Sequence, residues 1–299
     1  MSVASLSDLS AAPPTEKLPP VRGYWASVGN RLRYDYLTIF FLSVIAIIVV
    51  LAILAPLIAP FDPTKSHMAY RLKPPGFRNF MLGTDELGRD MLSRLLWGGR
   101  TSLLMGIFPV LLATLVGGSL GVAAGFMGGR TNTFIMRTMD VVFAFPSVLL
   151  AVAISGTLGG GAKNGMLALT LVFIPSICRV AESATTQVRG LDFVEAARAS
   201  GGSTLSIVRT HILGNVLGPV FIFASSLISV SILLGSGLSF LGLGVEPPTP
   251  DWGLMLSTLR AGIYTQPLLC ALPGAAIFIT SLSFNLVSDG LRQAMDVKA

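Results

Sequence analysis

Charge is what this sequence has least of. Only 12% of its 299 residues are Asp, Glu, Lys or Arg, against about 25% in soluble globular domains. That excludes an ordinary soluble domain, because a water-facing surface cannot be covered. Cysteine is nearly absent. Cys178 and Cys270 stand apart in apolar surroundings, which excludes a disulfide framework and makes them small core residues. The two histidines, His67 and His211, are isolated, so no metal-ligand spacing exists and no metal site is expected. No GxxxxGK[ST] run occurs, so the chain has no phosphate loop with which to bind ATP itself. No nucleophile and base are spaced for catalysis, and the chain is not expected to be an enzyme or to carry a cofactor. A block of five or six basic residues is also missing, although the net charge is +6. A nucleic-acid partner is therefore not expected, and the positive excess reads as a membrane-topology signal. The first 36 residues lack the apolar core and small-residue cleavage site of a secretory signal. Their Pro- and Ser-rich stretch "SLSDLSAAPPTEKLPPVRG" reads as a tail over 1–36.

What is present is apolar sequence between widely spaced charges. Uncharged runs extend for 26 residues between Asp35 and Asp62, 29 between Arg100 and Arg130, and 22 between Asp140 and Lys163. Further runs cover 15 residues between Lys163 and Arg179, 36 between Arg209 and Glu246, and 28 between Arg260 and Asp289. A helix needs about 20 residues to cross the hydrocarbon core. Five runs suffice, and the fourth must continue past Arg179 and Glu182. Those two either pair on one helix face or mark the membrane boundary. The count predicts an all-α membrane protein with six transmembrane helices, the first over 37–59, and both termini on one side. With the N-terminus inside, the inner segments hold 12 Lys and Arg and the outer ones 9, seven of these between Lys65 and Arg100. The first outer loop thus runs against the positive-inside rule.

Small residues and prolines punctuate the spans. Gly117, Gly121 and Gly125 recur at every fourth position, a stripe on which a second helix can pack closely; glycine is also common in membrane helices without such a role. Pro146, Pro175, Pro219 and Pro273 fall within or at the ends of spans, where kinks are expected.

One polar element interrupts the pattern, "EAARASGGSTLSIVRTHILGN" at 195–215. "LDFVEAARAS" is a good helix with Leu191, Val194 and Ala197 on one face and Asp192, Glu195 and Arg198 on another. Gly201-Gly202 ends it, and Ser203 or Thr204 caps a second helix. The result is a helix–turn–helix between the fourth and fifth spans. It is either an amphipathic hairpin resting on lipid or a docking knob for a soluble partner. Elsewhere, Asp140 at the edge of the third span is expected to pair with Arg137, and Asp289 with Arg292. "GTDELGRD" (83–90) is expected to open a surface helix through "ELGRDMLSRLLWGG", capped by Thr84 or Asp85, so that 60–99 forms an external loop with an amphipathic helix. "GVEPPTPDW" (244–252) reads as a rigid external loop with Trp252 at the membrane interface.

"EAA" (195–197), Gly201 and the "HIL" of His211, Ile212 and Leu213 resemble the EAA loop of ABC-importer permeases, where an ATP-hydrolysing subunit grips the permease. The family usually has Pro where this chain has Gly214 before Asn215. The stretches "LGTDELGRDMLSRLLWGGRTSL" (82–103), "MDVVFAFPSVLLA" (139–151), "LSFLGLGVEPPTPDWGLML" (238–256) and "FNLVSDGLRQAMD" (284–296) are similar to the dipeptide/oligopeptide/nickel subfamily, C-type partner. The resemblance runs from about residue 36 to the C-terminus. It implies a type I, methionine-importer-like five-helix core over 100–299, preceded by an N-terminal helix. It also implies a cytoplasmic coupling loop over 190–212 comprising Asp192, Glu195, Ala196, Ala197, Arg198, Gly201, His211, Ile212 and Leu213. The implied partners are a second permease, two ATPase subunits that bind ATP and Mg, an external solute-binding protein and the lipid bilayer of a bacterial or archaeal cell membrane, with both termini cytoplasmic. The path is implied to run along the third to fifth spans, where Ser226, Ser229, Ser231 and Ser236 are polar candidates, although such serines also bond their own backbone. Peptides are the expected cargo, with nickel chelates, glutathione and opine-like solutes as alternatives. Outside this family the readings are a secondary transporter, which calls for midplane ionisable residues and inverted repeats, or a structural membrane subunit.

Overall fold

The computed structural model describes residues 24–295; the tail expected over 1–36 lies mostly outside them. Helix α1 (Tyr24–Tyr34) stops at Asp35, whose carboxylate accepts the N–H groups of Leu37 and Thr38 and so caps α2 (Tyr36–Ile53). A short helix α3 (Ala55–Ile58) follows, and then a connection whose single helical turn is Met68–Tyr70.

That connection corrects the expectation of a separate amphipathic helix within 60–99. Asp85 Oδ1 accepts the N–H groups of Leu87 and Arg89, at 2.9 and 2.8 Å. Its other oxygen takes the Arg89 guanidinium at 2.7 Å. The backbone therefore closes a tight turn where a first helical turn was expected. Gly88 has φ +74, and a Cβ there would run into the His67 carbonyl. Asp90, rather than Thr84 or Asp85, caps the following helix through the Ser93 N–H. "MLSRLLWGG" is then the first quarter of a 37-residue helix, α4 (Met91–Met127). Arg89 and Arg94 are buried, and Arg94 reaches Asp85 at 3.2 Å and the Pro63 carbonyl at 3.1 Å. Two of the outer loop's seven cations are thus consumed as the ionic core of that loop.

Helices α5 (Gly129–Phe143) and α6 (Ser147–Leu158) meet at 86°. Pro146 sits at the corner, where it lacks an N–H and biases Phe145 away from helical geometry. Next come α7 (Ala162–Arg189), α8 (Asp192–Ala199), α9 (Thr204–Ile207), a π-helical turn (Val208–Ile212) and α10 (Leu213–Phe240). The chain ends in α11 (Trp252–Leu259) and α12 (Pro267–Met295).

Whether the bent pair crosses the membrane follows from the helix directions. A Cβ at Gly117 would lie 2.6 Å from the Ile174 carbonyl oxygen, one at Gly121 would overlap the Cys178 carbonyl, and one at Gly125 would lie 2.7 Å from the Glu182 carbonyl. The partners advance with the glycines, so α4 and α7 run parallel and their backbones touch. The chain between them must return to the far side, so α5 and α6 together make one span. With the five long helices Tyr36–Ile53, Met91–Met127, Ala162–Arg189, Thr204–Phe240 and Pro267–Met295, this gives six spans, the third sharply broken. Met105 meets Gly235 in α10, Met295 meets Gly218, and Thr38 meets Gly290. These contacts set α10 antiparallel to α4, and α12 antiparallel to both α10 and α2. Tyr36, Met127, Arg189, the 190–212 element and Met295 therefore share one end of the bundle, and 59–90 and 241–266 share the other.

Trp252 is not at the membrane interface. It is buried against Gly98 and Gly99, and its indole N–H donates to the Leu95 carbonyl at 2.9 Å. Asp251 before it caps α11 through the Leu254 N–H and accepts the Ser102 hydroxyl at 2.7 Å. Burial pushes the Asp251 carboxyl above the usual carboxylate range.

Candidate coupling and translocation site

The 190–212 element is half core and half exposed knob. In α8, Val194 is fully buried; Ile207 and Ile212 from the second half join it in the main apolar cluster of α4, α7 and α10. These three anchors root the element in the bundle. The turn between its halves needs Gly201, which takes φ +79. The Gly202 N–H then donates to the Ala197 carbonyl at 3.1 Å, closing α8. Ser203 caps the second half by accepting the Ser206 N–H at 3.3 Å. Phe193 and His211 face each other across the hairpin with ring centroids 6.0 Å apart, and the Arg198 guanidinium lies 5.1 Å over the Phe126 ring of α4.

The tip carries the opposite character. Asp192, Glu195, Ala196 and Gly201 are exposed; Ala197, His211 and Leu213 are half-buried at its base. Beside the carboxylates stand Leu191, Phe193 and Leu205, the last 77% exposed. Among the described residues Glu195 enters no ion pair, as the carboxylates that do are Asp85, Glu86 and Asp140. The element hangs from α7 and α10 by apolar roots, and at its tip Asp192, Glu195, Leu191 and Leu205 stand exposed.

The charge pairs nearby differ in part from the sequence expectation. Asp140 does pair with Arg137, at 3.8 Å, but it also binds Arg179 of α7, more closely, at 2.7 Å. Glu182 receives the Asn132 amide at 2.7 Å instead of pairing with Arg179. No ion pair joins Asp289 to Arg292 among the described residues. Sequence spacing shows only partners three or four residues away; the 86° corner, which carries α5 across α7, has no counterpart in that spacing. An open cavity of ≈ 470 Å³ lies beside the Asp140–Arg179 pair, lined on α7 by Ser176, Arg179, Ser183 and Gln187 and on α10 by Pro219 and Phe223.

The serines of α10 lie mostly inside the chain. Of the four candidates Ser229, Ser231 and Ser236 are buried and Ser226 is part-exposed. The hydroxyls of Ser226 and Ser229 return to carbonyls of their own helix, at 2.7 and 2.8 Å; that of Ser231 crosses to the Met105 carbonyl of α4 at 3.2 Å. Ser236 backs directly onto Gly253 of α11.

Two family descriptions match the chain. Residues 117–298 match the binding-protein-dependent transport system inner membrane component, and residues 23–75 match the N-terminal TM domain of oligopeptide transport permease C. The chain is 40% identical to the di/tripeptide transport system permease protein DppC of Pseudomonas aeruginosa, covering 100% of this chain and 97% of that one. It is 37% identical to the glutathione transport system permease protein GsiD of Pectobacterium atrosepticum, over 93% and 92% of the two chains. It is 38% identical to the probable D,D-dipeptide transport system permease protein DdpC of Escherichia coli, over 90% of each. Among solved structures, the inward-facing MetNI methionine ABC transporter aligns with TM-score 0.57 at 18% identity, over 69% of this chain and 98% of that one. At that identity the likeness speaks for the fold, a type I importer permease core.

Proposed function

This chain belongs to the family of binding-protein-dependent transport inner-membrane components, the permease subunits of ABC importers, and on that premise we propose that it forms, with a second permease, the membrane path for di- or oligopeptides. The names of the relatives support a peptide cargo. Glutathione, itself a small peptide, is favoured as the second reading by relatives at 37–38% identity.

The observation that carries the reading is the rooted knob at 190–212. Two cytoplasmic ATPase subunits bind ATP and Mg and close on each other; one grips Glu195, Asp192 and the exposed Leu191, Phe193 and Leu205. Because Val194, Ile207 and Ile212 fasten the knob to the bundle, its displacement moves α7 and α10 together. ATP binding then favours one of two arrangements of the path, as any ligand favours the state it binds better. The element, Tyr34 and Met295 lie in the cytoplasm on this reading, and 59–90 and 241–266 face an external solute-binding protein.

Glu195→Lys tests the grip. Glu195 has no ion pair among the described residues, so the variant permease pair should still assemble. A reversed charge at the contact should lower ATP-driven dipeptide uptake in proteoliposomes by roughly tenfold or more, since removing one partner of a docked charge pair costs about 2 kcal/mol or above. Uptake and ATP turnover equal to wild type would remove the knob from the coupling path.

A further inference from the structure

Asp140 and Arg179 form an ion pair between α5 and α7, and the pair is not covered. Arg179 lies ten residues before the end of α7 at Arg189, about 15 Å of helix. In the single chain its side chain is 50% exposed and that of Asp140 44%. Charges at this depth do not face lipid tails; they face water or protein, and they mark substrate pathways. The surface around them is polar along one stripe, Ser176, Arg179, Ser183 and Gln187, at the three- and four-residue steps of one helix face. The cavity they open into, ≈ 470 Å³, falls within the range of about 300–1,000 Å³ usual for small-molecule sites. Its two main walls, α7 and α10, are the helices that the 190–212 element joins.

We propose that this cavity is a solute station on the inner half of the path, in which Arg179, held by Asp140 from α5, takes the terminal carboxylate of a peptide. This deepens, and rests on, the peptide-importer reading above. The guanidinium has five N–H donors, and the structure shows Asp140 engaging one nitrogen, Nη2, at 2.7 Å. The Phe143 ring, 5.0 Å from the guanidinium carbon, holds its plane. Remaining donors are free to form the forked contact that carboxylates favour. Apart from Arg179 the lining combines the neutral polar Ser176, Ser183 and Gln187 with Val180, Ala184 and Phe223, which suits variable side chains on a constant backbone.

The test uses the complete importer, this chain with its partner permease and ATPases, without the binding protein. Ser183→Cys places a label site in the cavity; the native Cys178 and Cys270 are buried and stay unlabelled. Millimolar alanyl-alanine should slow maleimide labelling of that cysteine, and alanyl-alanine amide should not. Equal protection by both peptides, or by neither, overturns the station. Arg179→Gln should abolish the protection and reduce uptake roughly tenfold to hundredfold, the scale of one lost charge-assisted bond, while ATP hydrolysis continues. A mere clamp between α5 and α7 predicts that the swapped pair Asp140→Arg/Arg179→Asp recovers uptake; the station predicts no recovery. If the unmodified importer fails to take up alanyl-alanine when its binding protein is supplied, the peptide reading itself falls. If uptake proceeds but labelling ignores the carboxylate, only the station does.

Discussion

Gly118 and Gly121 stand three residues apart on α4, yet an added methyl group meets different fates at each. At Gly121 the methyl would overlap the Cys178 carbonyl and press on the Ala181 Cβ at 2.7 Å; at Gly118 nothing lies within 4 Å. Gly121→Ala must push α7 away, an overpacking cost of about 1–3 kcal/mol. Gly118→Ala should be neutral or stabilise by up to about 1 kcal/mol through helix propensity. Thermal unfolding of the purified protein in detergent should show a lower midpoint for the first and an unchanged or higher one for the second. The four-residue period of Gly117, Gly121 and Gly125 was legible in the sequence, and so was a close helix contact. That the contact is with α7, running parallel, was not, because nothing local to α4 names its neighbour. Asp140 shows the same limit: its pairing with Arg137, three residues back, was legible, but the shorter bond to Arg179, thirty-nine residues on, was not.

At the scale of elements, the knob was the most legible part, because its signals are local. Gly201 takes the left-handed backbone, Ser203 caps, and Val194 turns inward, all as side-chain chemistry dictates. Gly201→Ala places a Cβ in that left-handed conformation, at a cost of about 1–2 kcal/mol. Amide exchange across 192–212 should accelerate accordingly while the α4–α7 pair keeps its protection; uniform acceleration of the whole chain would mean the knob is not a separable unit. Elements closed by long-range contacts were less legible. The start of α4 moved to Met91 because Asp85 and Arg89 closed a turn of their own. Trp252 left the interface for the core because Gly98 and Gly99 make room for its ring, a fit across more than 150 residues of sequence.

For the whole molecule, the decisive relation is that α4 and α7 are parallel. It makes the bent α5–α6 pair a full crossing and sends the two polar connections to opposite ends of the bundle. A membrane-impermeant maleimide should therefore label Leu205→Cys and Met81→Cys from opposite faces; on the orientation proposed above, Leu205→Cys reacts in inside-out vesicles and Met81→Cys in right-side-out ones. Labelling of both from one face would break the six-span arrangement. The sequence supplied the count of spans through its charge-free runs; the corner at Pro146 was legible as a kink but not as a right angle.

The π-helical turn at 208–212 joins the second half of the knob to α10 without a joint, so Thr204–Phe240 is one helix of 37 residues, about 55 Å long. Such a shaft has leverage: one degree of rotation about its inner foot sweeps its far tip through about 1 Å at that length. The tip sits beside Gly161 and Gly244, whose backbones are bonded at 2.9 Å. To the extent that the shaft moves as one piece through Pro219, a nudge of a few degrees from below arrives at the opposite mouth as a shift on the scale of a side chain.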